Sequence, residues 1–287
     1  MIKRAIKPSA ALAKKKLSDS NPDETTTLQH PLGTQTIHRA VFILREIAMH
    51  GTSGARLTDI TQSMGLEPST THRIVKGLVS HGMVTQDTKT KTYRLGHLVY
   101  ELGLAASPSY SLKEICRPTL ELIADKLGDS VFLVVRSGLD SVCIDSVEGS
   151  YPIQARTLDI GGRRPLGVGA ASLALLMTLS ARDQQKVIDT NASRFSSFGQ
   201  MTVDRLNSAI KLSTKMGYAI NEGDVLSGVY AIGLPITPQQ GKPYAALSIA
   251  GIASRFTGKR REEAADLLKK ETHNLAKHLN AMNIDWS

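Results

Sequence analysis

Short hydroxyl and basic side chains share one side of a helical pattern between Pro68 and His81. Apolar or small positions recur at helical spacing at Thr71, Ile74, Val75 and Leu78, which predicts one buried face. The opposite face and its edges carry Ser69, Thr70, His72, Arg73, Lys76 and Ser80. Hydroxyls allow close approach to a base edge, and arginine can bind guanine with two hydrogen bonds or clamp a phosphate. The segment therefore predicts a helix that reads DNA, with an ordinary solvated face as the alternative.

Two predicted helices precede this one in the order of a helix-turn-helix unit. The first spans 36–49, where apolar side chains repeat at helical spacing. The second begins at Leu57, with Thr58 as its N-cap and Asp59 near the positive end of the helix dipole. Gly65 then ends it in the left-handed conformation that a short turn requires. A short helix, a tight turn and a third helix form the helix-turn-helix arrangement.

An alternating pattern after the third helix predicts a hairpin with strands at 83–87 and 92–95. Lys89 and Lys91 lie at its tip, where they favour contact with DNA phosphates and would make the unit winged; a plain surface turn is the alternative. The expected partner is double-stranded DNA. The candidate DNA-binding residues are Ser69, Thr70, Thr71, His72, Arg73, Lys76, Lys89, Lys91 and, on the first helix, Arg39.

The distribution of charge agrees with a DNA partner. The 287 residues include 35 Lys and Arg against 26 Asp and Glu, a net charge of +9, and most of the excess precedes residue 97. Two cysteines predict no disulfide framework. No apolar run is long enough for a transmembrane helix, and the amino terminus lacks the apolar core of a signal peptide. We therefore expect a cytoplasmic protein with no membrane partner.

Composition divides the chain into four segments. Residues 1–33 are predicted to be a disordered basic tail, whose lysines either contact DNA phosphates or are solvated. Residues 34–96 form the predicted winged helix-turn-helix domain. Residues 97–107 form a linker helix that ends at the proline-bearing break 107–109, and residues 108–287 form a second domain.

The second domain is predicted to be α+β with an antiparallel sheet. Its predicted strands are 131–136, 141–147, 151–158, 218–220, 229–236 and 244–251. Its predicted helices are 112–127, 170–179, 181–190, 202–216 and 261–282. Pro118 should kink the first of these helices or mark its true start.

No catalytic motif is recognisable in either domain. The run 167–172 is near a dinucleotide-binding fingerprint, but no apolar strand precedes it, so a glycine-rich pocket loop is the better interpretation. His273 and His278 are five residues apart and predict exposed side chains, whereas Cys116 and Cys143 predict core thiols. We therefore expect no enzyme activity, no cofactor and no metal site.

The loop 163–171 is a candidate binding site. It combines two arginines, Arg163 and Arg164, with the small residues that follow. Small side chains let a ligand approach backbone N–H groups, and an arginine could hold a carboxylate.

Several motifs together resemble the IclR-type bacterial transcriptional regulators. They include Ser69-Thr70-Thr71-His72-Arg73 and, after the hairpin turn, Tyr93-Arg94-Leu95-Gly96. The resemblance extends over about 36–282. It implies a GAF-like effector-binding domain in the carboxyl-terminal part and a homodimer or a dimer of dimers. We expect the linker helix to form the dimer contact through the apolar residues Leu98, Val99 and Leu102.

The resemblance also implies a set of ligand-contacting positions. They fall on Ala170, Ala171, Asn221, Val229, Ala231, Ser248 and Ala250. Three depart from the commoner family pattern: an acid is replaced by Asn221, a cysteine by Ala231 and a serine by Ala250. These changes make the expected pocket less polar, which favours a small organic effector, an acid or aromatic catabolite, that is larger or more apolar than a simple keto acid. The alternative is that these residues only form turns and core.

The combined pattern predicts a ligand-responsive transcription factor that binds operator DNA. Two other classes fit parts of it: a constitutive architectural protein whose second domain only oligomerises, and an enzyme with an appended DNA-binding domain.

Overall fold

The computed structural model describes residues 34–106, 112–237, 243 and 245–282. The predicted tail, 1–33, and the predicted break at 107–109 lie outside these residues. The amino-terminal part has the predicted element order: α1 (Gln35–Met49), α2 (Leu57–Met64), α3 (Pro68–Ser80), β1 (Val84–Gln86), β2 (Tyr93–Leu95) and α4 (His97–Ala106).

One small apolar core holds the first three helices and the hairpin together. It contains Ile43 and Ile47 of α1, Ile60 of α2, Val75 and Leu78 of α3, and Val84 and Tyr93 of the hairpin. Burial of each of these aliphatic side chains contributes about 1.5–3 kcal/mol to the free energy of folding. The backbone of Tyr93 also exchanges two hydrogen bonds with Ala55, at 2.9 and 2.8 Å, which ties the hairpin to the segment before α2.

The start of α2 differs from the prediction. Arg56 is the N-cap, not Thr58, because the carboxylate of Asp59 accepts the backbone N–H of Arg56 at 3.0 Å. Thr58 consequently lies within the first turn. Gly65 ends α2 with φ of 60°, as the sequence predicts, and Pro68 occupies the start of α3.

The carboxyl-terminal part is built on a six-stranded antiparallel sheet, as expected. Its elements are α5 (Leu112–Leu127), β3 (Ser130–Ser137), β4 (Asp140–Val147), β5 (Arg163–Pro165), α6 (Ala170–Met177), α7 (Ala181–Phe195), α8 (Val203–Met216), β6 (Ala219–Glu222), β7 (Val229–Ile236), β8 (Ala245–Ile252) and α9 (Gly258–Ala281). The strand order is β5-β4-β3-β8-β7-β6. The helix α5 runs through Pro118 without interruption.

The two faces of the sheet bury different sets of helices. Side chains alternate along β3, so Val131 and Leu133 pack with α5 and α9, whereas Phe132 and Val134 face the other side, with α6. The sheet is therefore covered on both faces, and the pocket loop before α6 lies on the second.

The predicted strand 151–158 is absent, and the edge strand is Arg163–Pro165 instead. The side-chain amide of Gln154 donates to the backbone carbonyl oxygens of Gly128 and Gly149 at 3.2 and 3.0 Å. The backbone N–H groups of Arg156 and Thr157 bond only two residues back. These local bonds replace a strand ladder, and the segment crosses the second face of the sheet as an irregular strap.

Helix α7 is longer than predicted because tertiary contacts extend it. Asn191 is buried and its side-chain amide donates to the carbonyl oxygen of Leu139 at 2.8 Å, while Phe195 is almost fully buried. Of the helices within the described residues, none has the length and apolar character needed to cross a bilayer.

Candidate DNA-binding surface and ligand cavity

The exposed face of α3 carries most of the predicted DNA contacts. Ser69, His72, Arg73 and Lys76 are exposed and Thr70 is half-buried at the edge. On the opposite side, Val75 and Leu78 are buried in the core. The hydrophobic periodicity therefore identified the free face correctly.

Thr71 is a correction to the predicted contact set. Its side chain is fully buried, and its hydroxyl donates to the carbonyl oxygen of Glu67 at 3.4 Å. A residue on the core side of α3 cannot reach a DNA groove, so Thr71 supports the fold of the unit rather than its surface.

The hairpin tip is a turn stabilised by side-chain hydrogen bonds, and it exposes two lysines. The Asp87 carboxylate accepts the backbone N–H groups of Lys89 and Thr90 at 2.8 and 2.9 Å. The hydrogen bonds from Thr90 and Lys89 lower the pKa of the Asp87 carboxyl. Lys91 adopts a left-handed φ of 59°, and the side chains of Lys89 and Lys91 are both exposed.

The exposed Arg56 and Arg94 also belong to this unit and were not among the predicted DNA contacts. Arg94 lies on β2 beside the exposed Leu95, and Arg56 caps α2. The alternation of β2, with Tyr93 buried, was the signal that Arg94 points outward. Arg39, which was predicted, is half-buried on α1.

A cavity of about 500 Å³, including its open mouth, lies between the sheet and the start of α6. All seven residues that the family resemblance implied line it: Ala170, Ala171, Asn221, Val229, Ala231, Ser248 and Ala250. They come from α6 and three strands that are distant in sequence. The strand register explains their convergence, since Asn221 pairs with Ala231 and Ala231 with Ala250 across the sheet.

Asn221 and Ser248 supply unsatisfied polar groups to the cavity. Both are buried, with 7% and 6% of their surface exposed. Among the residues that the structure describes, neither side chain has a hydrogen-bond partner. Neither side chain is among the fully buried polar atoms without a partner, so the polar groups of both keep access to the cavity and are available to bond a ligand.

Two hydrogen bonds of the Ser172 side chain fix the loop before α6. The Ser172 hydroxyl accepts the Gly167 N–H at 2.9 Å and donates to the Pro165 carbonyl oxygen at 3.4 Å. Val168, Gly169 and Ala170 then line the cavity, which agrees with the interpretation of a glycine-rich pocket loop.

The two arginines of the loop have different surroundings. Arg163 donates to the Asp140 carboxylate at 3.0 Å and to the Ser137 hydroxyl at 2.9 Å, and it does not line the cavity. Arg164 lines the cavity.

Other lining residues were not anticipated. Phe132, Val134, Ser141, Val225 and Leu226 contribute, together with Thr157 and Leu158 of the irregular strap. Thr157 and Leu158 were not predicted to line a pocket, because the sequence pattern indicates a strand there.

The two cysteines and the two histidines singled out on α9 form no site. Cys116 and Cys143 are buried, and burial raises the pKa of both thiols to about 12. His273 and His278 are exposed on α9. No cluster of metal-binding side chains occurs within the described ranges.

Two family models match the chain, and named relatives agree with them. Residues 36–88 match the IclR helix-turn-helix domain, and residues 105–277 match the bacterial transcriptional regulator IclR C-terminal domain. The chain is 26% identical over 204 residues to the HTH-type transcriptional regulator KipR of Bacillus subtilis, covering 70% of this chain and 80% of the relative. It is 25% identical over 245 residues to the HTH-type transcriptional repressor AllR of Escherichia coli, covering 85% and 90%.

The fold is also similar to solved structures. One is an IclR homolog from Microbacterium hydrocarbonoxydans complexed with 4-hydroxybenzoate, with a TM-score of 0.64 and 20% identity, covering 86% of this chain and 99% of that one. The second family model alone spans more than half of the 287 residues. The chain therefore belongs to the IclR family of bacterial transcriptional regulators, which are DNA-binding proteins and not enzymes.

Proposed function

We propose that this chain is a ligand-responsive transcription factor that binds operator DNA in the cytoplasm as a dimer or a dimer of dimers. A small organic effector in the carboxyl-terminal domain changes its operator affinity. The observation that carries the proposal is the convergence of seven implied ligand positions on one cavity, in a chain whose other part is a winged helix-turn-helix unit. We place the domain boundaries at 34–96, 97–107 and 108–287.

The proposed DNA contacts lie on α3, the hairpin tip and α1. They are Ser69, Thr70, His72, Arg73, Lys76, Lys89, Lys91 and Arg39; the exposed Arg56 and Arg94 extend the set. Hydroxyls and Arg73 on α3 suit base edges in the major groove, whereas lysines on a wing suit phosphates.

Exposed apolar side chains on α4 support the dimer. No residue of this helix is buried, and Tyr100, Leu102 and Leu104 expose 65%, 51% and 59% of their surface. Tyr100 and Leu104 share one side of α4 and Leu102 lies on the opposite side, so the exposed helix is apolar on more than one side and marks an interaction surface. A second copy of α4 would cover it and set the distance between two recognition helices.

The effector is a small organic acid or aromatic compound. The cavity is mostly apolar, with Asn221 and Ser248 as hydrogen-bonding groups, and a relative of the same fold was crystallised with 4-hydroxybenzoate. Ligand binding changes operator affinity only if the ligand binds the DNA-bound and free forms differently.

The proposal is tested with DNA that the full chain selects from a randomised library. We expect sequence-specific binding, measured by fluorescence anisotropy, and a change in affinity with 4-hydroxybenzoate or benzoate. Equal affinity for selected and random DNA would contradict a regulator. Specific binding that none of the tested effectors changes would instead support a constitutive architectural protein.

The dimer is tested by sedimentation. Leu102→Glu should convert the chain to a monomer, because a carboxylate in a buried helix contact is strongly disfavoured. Leu212→Glu, on α8 and 38% exposed, is the matched control and should leave the assembly unchanged. A wild-type chain that sediments as a monomer would contradict the proposed assembly.

A further inference from the structure

Arg164 is the one charged side chain among the described residues that line the cavity. Its neighbour Arg163 is satisfied by Asp140 outside the cavity. The same loop therefore places one arginine in an ion pair and the other at the wall of the cavity.

The guanidinium of Arg164 makes no ion pair among the described residues, and the Asp159 carboxylate acts on it only from beyond ion-pair distance. Within the described residues no carboxylate oxygen lies within 4.0 Å of it. Its Nη2 donates to the carbonyl oxygen of Thr157, a neutral acceptor. Burial lowers the pKa of Arg164 to about 10, so the group still carries its charge at neutral pH. A buried cation that makes no ion pair is costly, and a bound anion would relieve that cost.

A second positive feature lies beside Arg164. Gly169 is the N-cap of α6 and provides no side-chain cap for the first-turn N–H groups. A Cβ added at Gly169 would lie 3.3 Å from Nη1 of Arg164, so the guanidinium and the start of the helix are neighbours. The positive end of a helix dipole favours an anion.

The remaining walls are apolar or neutral. Phe132, Val134 and Val229 face the space, and no described acidic side chain lines it. The single positive charge of Arg164, at one end of an apolar cavity, complements a ligand that has one negative charge and an apolar body. A phosphate dianion, with two charges and no apolar body, fits this cavity poorly.

Building on the ligand-responsive function above, we propose that Arg164 is a specificity-determining residue that selects an organic carboxylate. The carboxylate contacts the guanidinium of Arg164 beside the start of α6, and the apolar body lies against Phe132 and Val134. Asn221 and Ser248 orient the polar substituents of the ligand.

The test compares acids with their neutral amides on the full chain. The probes are benzoate, 4-hydroxybenzoate and hexanoate, each paired with its primary amide and titrated by calorimetry. We expect at least one acid to bind, and its amide to bind roughly tenfold or more weakly. Arg164→Met should weaken that acid by roughly tenfold or more and abolish the preference over the amide, while Arg164→Lys should retain the preference.

A matched control and a folding check accompany these variants. Arg156→Met removes the same charge from the same part of the chain, but its side chain is 74% exposed and paired with Glu148, so binding should equal that of wild type. Circular dichroism shows whether each variant is folded. If Arg164→Met is not folded, the comparison of the wild type and Arg164→Lys on acid and amide decides the outcome.

The assignment is overturned if an amide binds the wild type as tightly as its acid, or if an acid binds folded Arg164→Met as tightly as the wild type. It is also overturned if no acid binds at about 10 mM, or if inorganic phosphate displaces the acid with higher affinity. The wider function fails differently, through loss of specific DNA binding. If a neutral amide changes the DNA affinity, the proposed role of Arg164 is contradicted, but the proposed function as a ligand-responsive regulator still holds.

Discussion

Gly233 of β7 lies directly against Ala170, the first residue of α6: a Cβ added at Gly233 would be 2.5 Å from the Ala170 carbonyl oxygen. The backbone of Gly233 does not have a positive φ, so the requirement for glycine is one of space. This close approach brings the start of α6 onto the sheet, where its first residues become one wall of the cavity.

Gly233→Ala should therefore push α6 off the sheet. We expect a loss of about 1–3 kcal/mol in the free energy of unfolding, measured by urea denaturation, because overpacked sites are destabilised. Gly77→Ala, in α3 with open space around it, should instead gain up to about 1 kcal/mol from helix propensity. If the urea midpoint of Gly233→Ala equals that of the wild type, α6 can move away from the sheet without loss of stability, which would contradict this prediction.

Arg73→Ala should weaken binding to selected DNA by about 1–3 kcal/mol if Arg73 reads a base, with little effect on random DNA. The measurement is anisotropy with both DNAs. Arg182→Ala, exposed on α7, is the charge-matched control. Equal losses on both DNAs would assign Arg73 to a phosphate, and no loss on either would remove α3 from the interface.

Neutralising the hairpin tip should weaken binding to all DNA sequences. Lys89→Gln with Lys91→Asn suits the structure, because asparagine tolerates the left-handed backbone at 91. The salt dependence of log affinity should become shallower by about two units if both lysines meet phosphates. Lys269→Gln with Lys270→Gln on α9 should keep the wild-type slope. An unchanged slope in the hairpin variant would place the tip away from DNA.

Asn221→Ala with Ser248→Ala should remove the ligand response at moderate effector concentration and preserve DNA affinity without ligand. Each lost ligand hydrogen bond costs roughly 0.5–1.5 kcal/mol, so the response should shift to higher effector concentration. Asn207→Ala with Ser208→Ala, on α8 outside the cavity, is the control. A double mutant that responds at the wild-type concentration would locate the pocket elsewhere, and loss of DNA binding without ligand would make both residues structural.

The affinity for a carboxylate should follow the protonation of Arg164. Because burial lowers its pKa to about 10, the guanidinium is charged at neutral pH and loses its proton as the pH rises through that value. Benzoate affinity should be constant from about pH 6 to 9, where the ligand is fully ionised, and fall by up to about tenfold per pH unit above 10. Calorimetry checks this, with circular dichroism at each pH to confirm folding. Affinity that stays flat through about pH 11 would contradict the lowered pKa of Arg164.

Local patterns in the sequence determined the DNA-binding unit. Helical periodicity separated the buried Val75 from the exposed Arg73, and Gly65 marked the turn between α2 and α3. These features depend on contacts between residues close in the chain, so propensity and spacing are sufficient to predict them. The same periodicity placed Thr71 on the buried face, where the structure has it, and only its inclusion among the DNA contacts was wrong.

Only the tertiary structure decided the shape of the cavity. Strand register brought Asn221 beside Ala231 and Ala250, and the strap carried Thr157 to the same space although its sequence predicted a strand. The different surroundings of Arg163 and Arg164 likewise depend on Asp140, more than twenty residues away. Such contacts join distant parts of the chain, and local sequence patterns carry no information about which of two adjacent charges will be paired and which will be left for a ligand.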